Sequence, residues 1–275
     1  MSNVLKFSLN HIICPSRSTQ ELIATAAQLD IKAIELRNDI QTHSITDLQQ
    51  AREIGAAARE SDIEILTINA LYPFNIWNQE RETQAEDLAR LANACGAQGL
   101  VLCPFNEAGY GANEAEKAAN LRTALTKLDM ILGQYNLRGF VEALGFPVSS
   151  LQFKREAVDA IKELGLANRF GLVHDTFHHK GAGESEMFTN MTSLVHISGV
   201  EDPDITFKSM LDAHRILIGP HDRLDNIAQI RQLLADGYDG YFSFEPFSRD
   251  IQVLPDPLAA AKASMEYIVE QLSIA

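Results

Sequence analysis

The chain has 275 residues, of which 46% are hydrophobic and 22% charged, and it carries a formal net charge of −14. This length and composition fit one large α/β domain with a substantial core, and they argue against wholesale disorder. The acidic balance also argues against a nucleic-acid backbone as the main partner, because affinity for phosphates comes from clustered Lys and Arg side chains.

Two further features predict a soluble cytoplasmic protein with no membrane partner. No apolar run approaches the roughly 18–20 residues that a membrane span needs, and the N-terminal segment MSNVLKFSLN lacks a signal-peptide core. The three cysteines, Cys14, Cys95 and Cys103, show no metal-ligand or redox spacing, and their odd number suits a reducing compartment.

Short β-branched runs alternate with helical patterns along the whole chain. Most of these runs are apolar until their last one or two residues, as expected of strands buried on both faces of a parallel sheet. The predicted strands are residues 4–10, 32–37, 63–69, 99–103, 138–143, 170–175, 194–198 and 240–245.

Helix signals fall between the strands. Ser18 with Glu21 and Asn113 with Glu116 have the spacing of capping boxes, and Asp256 before a proline marks the start of the last helix. The predicted helices cover about 18–29, 46–60, 79–95, 113–135, 153–164, 183–190, 223–236 and 256–272.

Eight strand–helix repeats in a chain near the typical ~250 residues predict an α/β fold, a single-domain (β/α)8 TIM barrel over residues 1–275. A doubly wound open sheet is the alternative, but the glycine-rich turn that it needs after the first strand is missing from LNHIICPS. The two longest connections, 104–112 and 199–222, both follow strands. They are therefore expected on the carboxyl face, where barrel enzymes keep their active sites.

The last four strands end in Glu142, Asp175, His196 and Glu245. Because strand ends in a closed barrel point to one mouth, these side chains can meet at one place. Three crowded carboxylates repel one another unless a cation lies among them. The set therefore predicts a site for one divalent metal ion, which can be Mn²⁺, Zn²⁺, Co²⁺ or Mg²⁺.

The segment HDTFHH and the following long loop supply further candidates. His174 precedes the ligand Asp175 on an alternating strand, which indicates a core histidine that points the other way. His178 is predicted to contact or support substrate, and His179 to lie in a loop or in solvent. Arg215, in the long loop, can hold a hydroxyl-rich substrate or a ligand carboxylate.

Polar residues after the first three strands are predicted to line the other half of the mouth and contact a polyol; they are His11, Glu35, Arg37, Asn69 and Tyr72. Trp77 can join them or pack against the following helix. Cys103 ends the fourth strand, and we expect a small buried apolar residue there and no nucleophile, because no histidine partner is indicated beside it.

Seven motifs follow one another in a fixed order along the chain: FSLNHII, IELRND, TINALYPFN, VEALGFPVSS, GLVHDTFHH, LVHISGVED and FSFEPF. This series resembles the xylose-isomerase-like TIM-barrel superfamily of sugar isomerases and epimerases, and within it is most similar to the 2-keto-myo-inositol (inosose) isomerase group. The resemblance implies that Glu142, Asp175, His196 and Glu245 hold one divalent metal, and that Glu142 and Glu245 are the catalytic acid/base pair. It also implies that His178 and Arg215 contact the substrate.

By this resemblance we expect an isomerase that moves a proton through an enediolate of an unphosphorylated keto-polyol in inositol catabolism, as a monomer or homo-oligomer. Inosose dehydratase and ketose 3-epimerase are alternatives on the same site, although Ala143–Pro147 lacks the second carboxylate of the epimerases. Pro220 also replaces a frequent glycine in the long loop. An abasic-site endonuclease would need more metal ligands and a basic face, and a sugar-binding barrel would need no acid/base pair.

Overall fold

The computed structural model describes residues 5–273. Eight parallel strands pair in chain order, and β1 pairs with β8 to close the barrel, which confirms the predicted (β/α)8 fold. The strands are β1 Lys6–Asn10, β2 Ala33–Arg37, β3 Glu64–Leu71, β4 Gly99–Leu102, β5 Arg138–Glu142, β6 Phe170–Asp175, β7 Thr192–Ile197 and β8 Tyr241–Phe244. Val4, predicted as part of the first strand, lies outside the described residues.

Helices follow every strand and surround the barrel. They are α1 Thr19–Gln28, α2 Leu48–Glu60, α3 Gln79–Cys95, α4 Glu114–Gln134, α5 Lys154–Glu163, α6 Thr176–Ala182, α7 Asn226–Ala235, α8 Arg249–Gln252 and α9 Pro257–Ser273. The predicted capping boxes at Ser18 and Asn113 are both formed, so the first turns of α1 and α4 begin where the sequence indicates.

The predicted helix over 183–190 is wrong. Helix α6 starts directly after β6, because the Asp175 side chain accepts a hydrogen bond from the backbone N–H of His178 and caps it. It ends after seven residues at Gly183, whose left-handed backbone (φ 66°) terminates the helix. The Glu184 carboxylate then accepts hydrogen bonds from two backbone N–H groups of α5, which ties this connection to the barrel.

An apolar layer closes the barrel below its carboxyl end. Its buried members come from six consecutive strands and are Ala33, Leu66, Val101, Phe140, Val173 and Leu194. On β5, β6 and β7 these residues stand two positions before Glu142, Asp175 and His196, so they point to the same inner face. The polar residues at the strand ends therefore lie directly above this apolar layer, on the side of the carboxyl face.

The larger part of the core lies between the strands and the helices, where both layers contribute buried aliphatic side chains. Within residues 5–273 no helix is long and apolar enough to cross a membrane. The long connection after β7 is held to the barrel by antiparallel pairing of Gly199 with Ile216.

Candidate metal centre and active site

Four buried side chains meet at the carboxyl ends of the last four strands. They are Glu142 on β5, Asp175 on β6, His196 on β7 and Glu245 directly after β8, and one ligand atom from each lies within 4.8 Å of the others. The backbone N–H of Glu245 donates to Ile197 O at 2.9 Å, which fixes this residue beside β7 after the β8 strand ends. The four predicted metal ligands thus share one small volume.

His196 has different partners at its two ring nitrogens. Nδ1 lies 3.2 Å from a carboxylate oxygen of Glu142 and 3.2 Å from one of Glu245. Nε2 lies 3.1 Å and 3.2 Å from the two carboxylate oxygens of Glu35. The ring therefore separates the cluster from a fourth, deeper carboxylate.

Two buried arginines hold Glu245 from opposite sides. Arg215 donates to Glu245 Oε2 at 3.0 Å and to Asp175 Oδ2 at 2.5 Å, and its side chain is 1% exposed. Arg37 donates to Glu245 Oε1 at 3.1 Å and makes two further hydrogen bonds, both of 2.7 Å, to Asp39. Phe247 packs against both guanidinium groups.

The net charge of the buried groups around His196 fits a divalent cation. Glu35 and the three cluster carboxylates face two buried arginines, which leaves two negative charges when His196 is neutral. Accordingly, although burial opposes it, Glu245, Glu35 and Glu142 hold the pKa of His196 well above its usual range. Three carboxylates and one imidazole also form a donor set that Zn²⁺ and Mn²⁺ accept. The residues therefore fit the metal that the sequence predicts.

The two cluster glutamates are held unequally. Glu245 accepts hydrogen bonds from Asn10, Arg37 and Arg215, and despite its burial the charges of His196 and both arginines lower its pKa. Glu142 has fewer contacts, namely His196 and the Cys103 thiol at 3.3 Å. Fewer hydrogen bonds thus hold the Glu142 carboxylate than the Glu245 carboxylate.

Cys103 differs in part from its prediction, because it is half-buried and donates to Glu142 where a passive apolar residue was expected. Burial and the Glu142 charge raise the pKa of the thiol well above its usual value. A protonated thiol is a poor nucleophile, as the sequence indicates.

The structure places three predicted substrate contacts away from an open mouth. Glu35 is fully buried behind His196, and Asn69 donates to it at 2.8 Å. His11 lies in the turn after β1, where its Nε2 is 2.9 Å from Arg17 O and burial lowers its pKa to about 4. Long side chains at strand ends can turn inward across the barrel, and residue order alone does not show this.

The histidines of β6 and α6 face different surroundings. His174 points away from the cluster, as strand alternation predicts, and contacts Lys154 and Gln229. His178 is buried with its ring edge-on between Phe146 and Phe177. His179 was predicted in a loop or solvent but lies on α6 against the His174 ring, and burial lowers its pKa to about 3.

Two cavities are lined by residues that contact the cluster, Arg37 and Cys103 in one and His178 in the other. One, of about 560 Å³, is lined by Arg37, Asp39 and Tyr72, together with Cys103 and several aliphatic side chains. The other, of about 300 Å³, lies beside His178 and is lined mainly by apolar side chains of the β5–α5 and β7–α7 connections. Trp77 instead packs against the core, the second of its two sequence interpretations.

Sequence reasoning assigned no role to the polar residues that surround Glu35; they are Asn10, Thr67 and Ser243, all fully buried. A signal for Ser243 exists, because it stands two positions before Glu245 and so points to the same inner face. Asp212 was missed as well, and it accepts a hydrogen bond from Arg215 at 3.0 Å.

Comparisons with known proteins agree on the fold. The family model described as xylose isomerase-like TIM barrel matches residues 23–271. A xylose isomerase domain containing protein from Salmonella typhimurium shares 32% identity over 99% of both chains, with a TM-score of 0.87. The structure of the IolI protein with a bound zinc atom has 20% identity over 98% of both chains and a TM-score of 0.82.

D-psicose 3-epimerase from Clostridium cellulolyticum, solved with D-tagatose, has 15% identity and a TM-score of 0.77, over 98% of this chain and 99% of that one. No curated protein sequence matches the chain significantly.

Proposed function

Because this chain belongs to the xylose isomerase-like TIM barrel family, we propose that it is a metal-dependent isomerase of an unphosphorylated keto-polyol or sugar. The family indicates an isomerase-type enzyme, as the sequence predicts. The finer proposal is that the substrate is 2-keto-myo-inositol, in inositol catabolism. The cytoplasm is the proposed location, because three free thiols would stay reduced there.

One observation carries this proposal. Glu142 and Glu245 approach the same nitrogen of His196 from two strands, each at 3.2 Å, with Asp175 completing the cluster. Two carboxylates that flank one cation site can remove a proton at one carbon and return it at the next. A protein that merely binds sugar has no need for this arrangement.

A divalent cation held by Glu142, Asp175, His196 and Glu245 would polarise a substrate carbonyl and stabilise the negative charge that develops on its oxygen. Glu142, with fewer hydrogen bonds, takes the proton from the carbon beside the carbonyl, and Glu142 or Glu245 returns a proton at the adjacent carbon. Glu245, held by two arginines, favours the charged form and is the second member of the proposed acid/base pair.

Other residues orient the substrate and the ligands. In the cavity beside Arg37 and Tyr72, these two side chains and Asp39 offer partners for the hydroxyl groups of a polyol, and the aliphatic part of the lining can contact its C–H face. His178 is proposed to contact substrate from the other side, since it lines the second cavity and its backbone N–H donates to Asp175. Arg215, at 1% exposure, is better suited to hold Asp175 and Glu245 in place than to contact substrate.

An abasic-site endonuclease is disfavoured by two observations. Within residues 5–273 one group of four possible metal ligands is found, and the chain has a net charge of −14. A cluster of several ions and a basic surface for DNA phosphates would both be needed.

Deuterium exchange tests the proposal. The zinc-loaded protein is incubated in D₂O with a panel of ketoses and inososes, and products are analysed by proton NMR and mass spectrometry. We expect one deuterium beside the carbonyl together with a new isomer, and neither with metal-free protein or the Glu142→Gln variant. A product that absorbs ultraviolet light would indicate a dehydratase, and no exchange with any compound would overturn the proposal.

A further inference from the structure

Glu35 is a buried charge in the interior of the barrel. It lies on β2, has no solvent exposure, and reaches across to His196 on β7, with both of its oxygens within 3.2 Å of Nε2. Because His196 is itself fully buried, no solvent can supply another partner for this nitrogen.

The Glu35 carboxylate is fixed by donors from three other strands. Thr67 and Asn69 on β3 donate to Oε2 at 2.6 Å and 2.8 Å, and Ser243 on β8 donates to Oε1 at 2.5 Å. Asn10 on β1 contributes a longer contact of 3.4 Å. A carboxylate held from this many directions has one position, and it imposes that position on its imidazole partner.

The contact between Glu35 and Nε2 determines which nitrogen of His196 faces the cluster without a proton. A neutral imidazole carries its proton on one nitrogen, and a carboxylate at Nε2 keeps the proton there. The lone pair of Nδ1 is then free on the side of Glu142 and Glu245. Such carboxylate–histidine pairs orient metal-ligating histidines and raise their basicity.

We propose that Glu35 is a positioning residue for the metal centre, which fixes the ring orientation and the Nε2–H tautomer of His196 so that Nδ1 is presented to the cation. This inference rests on the metal site of the proposed function, but it does not depend on the substrate or the reaction. Apolar residues of similar volume stabilise a core as well as buried charges do, which favours a functional reason for this carboxylate.

The test compares two methionine substitutions on neighbouring histidine sites. Glu35→Met removes the acceptor from Nε2 of His196. The matched control, Gln229→Met, removes the acceptor at 2.9 Å from Nε2 of His174, which faces away from the cluster. Both variants lose several buried hydrogen bonds, since Gln229 also donates to Thr176 O and Leu224 O, but only Glu35→Met touches the cation site. Zn²⁺ affinity is measured by competition with a chelator, and folding by circular dichroism.

We expect Glu35→Met to bind Zn²⁺ about 10- to 100-fold more weakly. Gln229→Met should bind Zn²⁺ as the wild type does, within about twofold, because its effect is confined to stability. The conservative variant Glu35→Gln keeps an acceptor oxygen, so its affinity should fall less than that of Glu35→Met. A folded Glu35→Met protein with wild-type Zn²⁺ affinity would overturn the proposal.

A spectroscopic measurement covers the case in which Glu35→Met does not fold. In zinc-loaded protein with ¹⁵N-labelled histidines, His196 should show a protected ring proton on Nε2 and a metal-bound Nδ1, in the wild type and in Glu35→Gln. A proton on Nδ1 of His196 in the zinc-free or zinc-loaded wild type, in place of Nε2, would overturn the proposal. These readouts need no turnover, so a protein without isomerase activity can still satisfy them.

Discussion

His174 and His196 occupy adjacent strands and are both fully buried, yet their surroundings differ completely. His174 faces outward, where the Lys154 amine lies 2.8 Å from Nδ1 and Gln229 accepts from Nε2. His196 faces inward, between carboxylates at both ring nitrogens. His174 thus faces a cation, the Lys154 amine, whereas His196 faces anionic glutamates.

Burial alone therefore does not set the charge of a buried histidine. Burial and the Lys154 charge lower the pKa of His174 well below its usual value, so this ring is neutral. Burial acts in the same direction on His196, but the facing glutamates reverse the result. In the outward site, formed by His174, Lys154 and Gln229, both ring nitrogens of the histidine have a partner. The inward site, formed by His196 and the carboxylates around it, attracts positive charge.

The largest expected effect concerns the inward site. Glu142→Gln keeps the size of the side chain but removes the group that accepts the proton, so kcat should fall by roughly 10²–10⁴-fold. Steady-state kinetics at saturating Zn²⁺ separates this loss from weaker metal binding. The outward variant Gln229→Met provides the reference and should keep its turnover. A Glu142→Gln variant near wild-type activity would remove Glu142 from the acid/base pair.

Metal addition should stabilise only proteins with an intact inward site. At a free Zn²⁺ concentration of 100 times Kd, binding to the folded state alone adds about 2.7 kcal/mol to the free energy of unfolding. Urea denaturation with and without Zn²⁺ measures this gain. Gln229→Met should show the full gain and His196→Gln little of it. An equal gain in both variants would mean that the ion binds elsewhere.

The outward site should make the free energy of unfolding depend on pH through Lys154. Burial lowers the pKa of Lys154 to about 8, while in the unfolded chain it titrates near 10.5. The folded protein thus binds fewer protons between these values, and stability rises as pH increases through this window. From pH 7.5 to 9.5, wild type should gain about 2 kcal/mol relative to Lys154→Met. Paired denaturation curves at both pH values measure this gain; a constant difference would show that the Lys154 pKa is unshifted.

The smallest effect is expected at Cys103, whose thiol donates to Glu142 at 3.3 Å. Sulfur is a weak donor, and one such hydrogen bond contributes about 1 kcal/mol or less. Cys103→Ala should therefore lower kcat/KM by no more than about fivefold, and Cys103→Ser, with a stronger donor, by less. A loss on the order of a thousandfold in both variants would make the thiol part of the chemistry.

The fold follows from the sequence because the strand and helix periodicities repeat without interruption. The four cluster residues follow as well, since each lies at the carboxyl end of a strand and a barrel brings these ends together. Alternation along β6 also separates His174 from Asp175. These inferences need only the direction of a side chain relative to its own strand.

The remaining differences concern contacts made across the barrel or within a single turn. Glu35 and Arg215 end in polar groups on long side chains, and the partners that they meet lie far away in sequence. Helix α6 was missed because its cap, Asp175, is also the last residue of a strand and a candidate ligand. Because Asp175 is at once the strand end, the helix cap and a candidate ligand, the sequence contains no separate cap residue that would indicate the start of α6.

Metal stoichiometry tests the central claim most directly, namely that the inward cluster holds one divalent ion. Wild type, Asp175→Asn and Gln229→Met are equilibrated at the same limiting Zn²⁺ concentration, desalted, and measured by elemental analysis and native mass spectrometry. We expect one ion per chain in wild type and Gln229→Met, and a clear loss in Asp175→Asn that excess Zn²⁺ restores. Two or more ions per chain, no retained ion, or unchanged content in Asp175→Asn would contradict it.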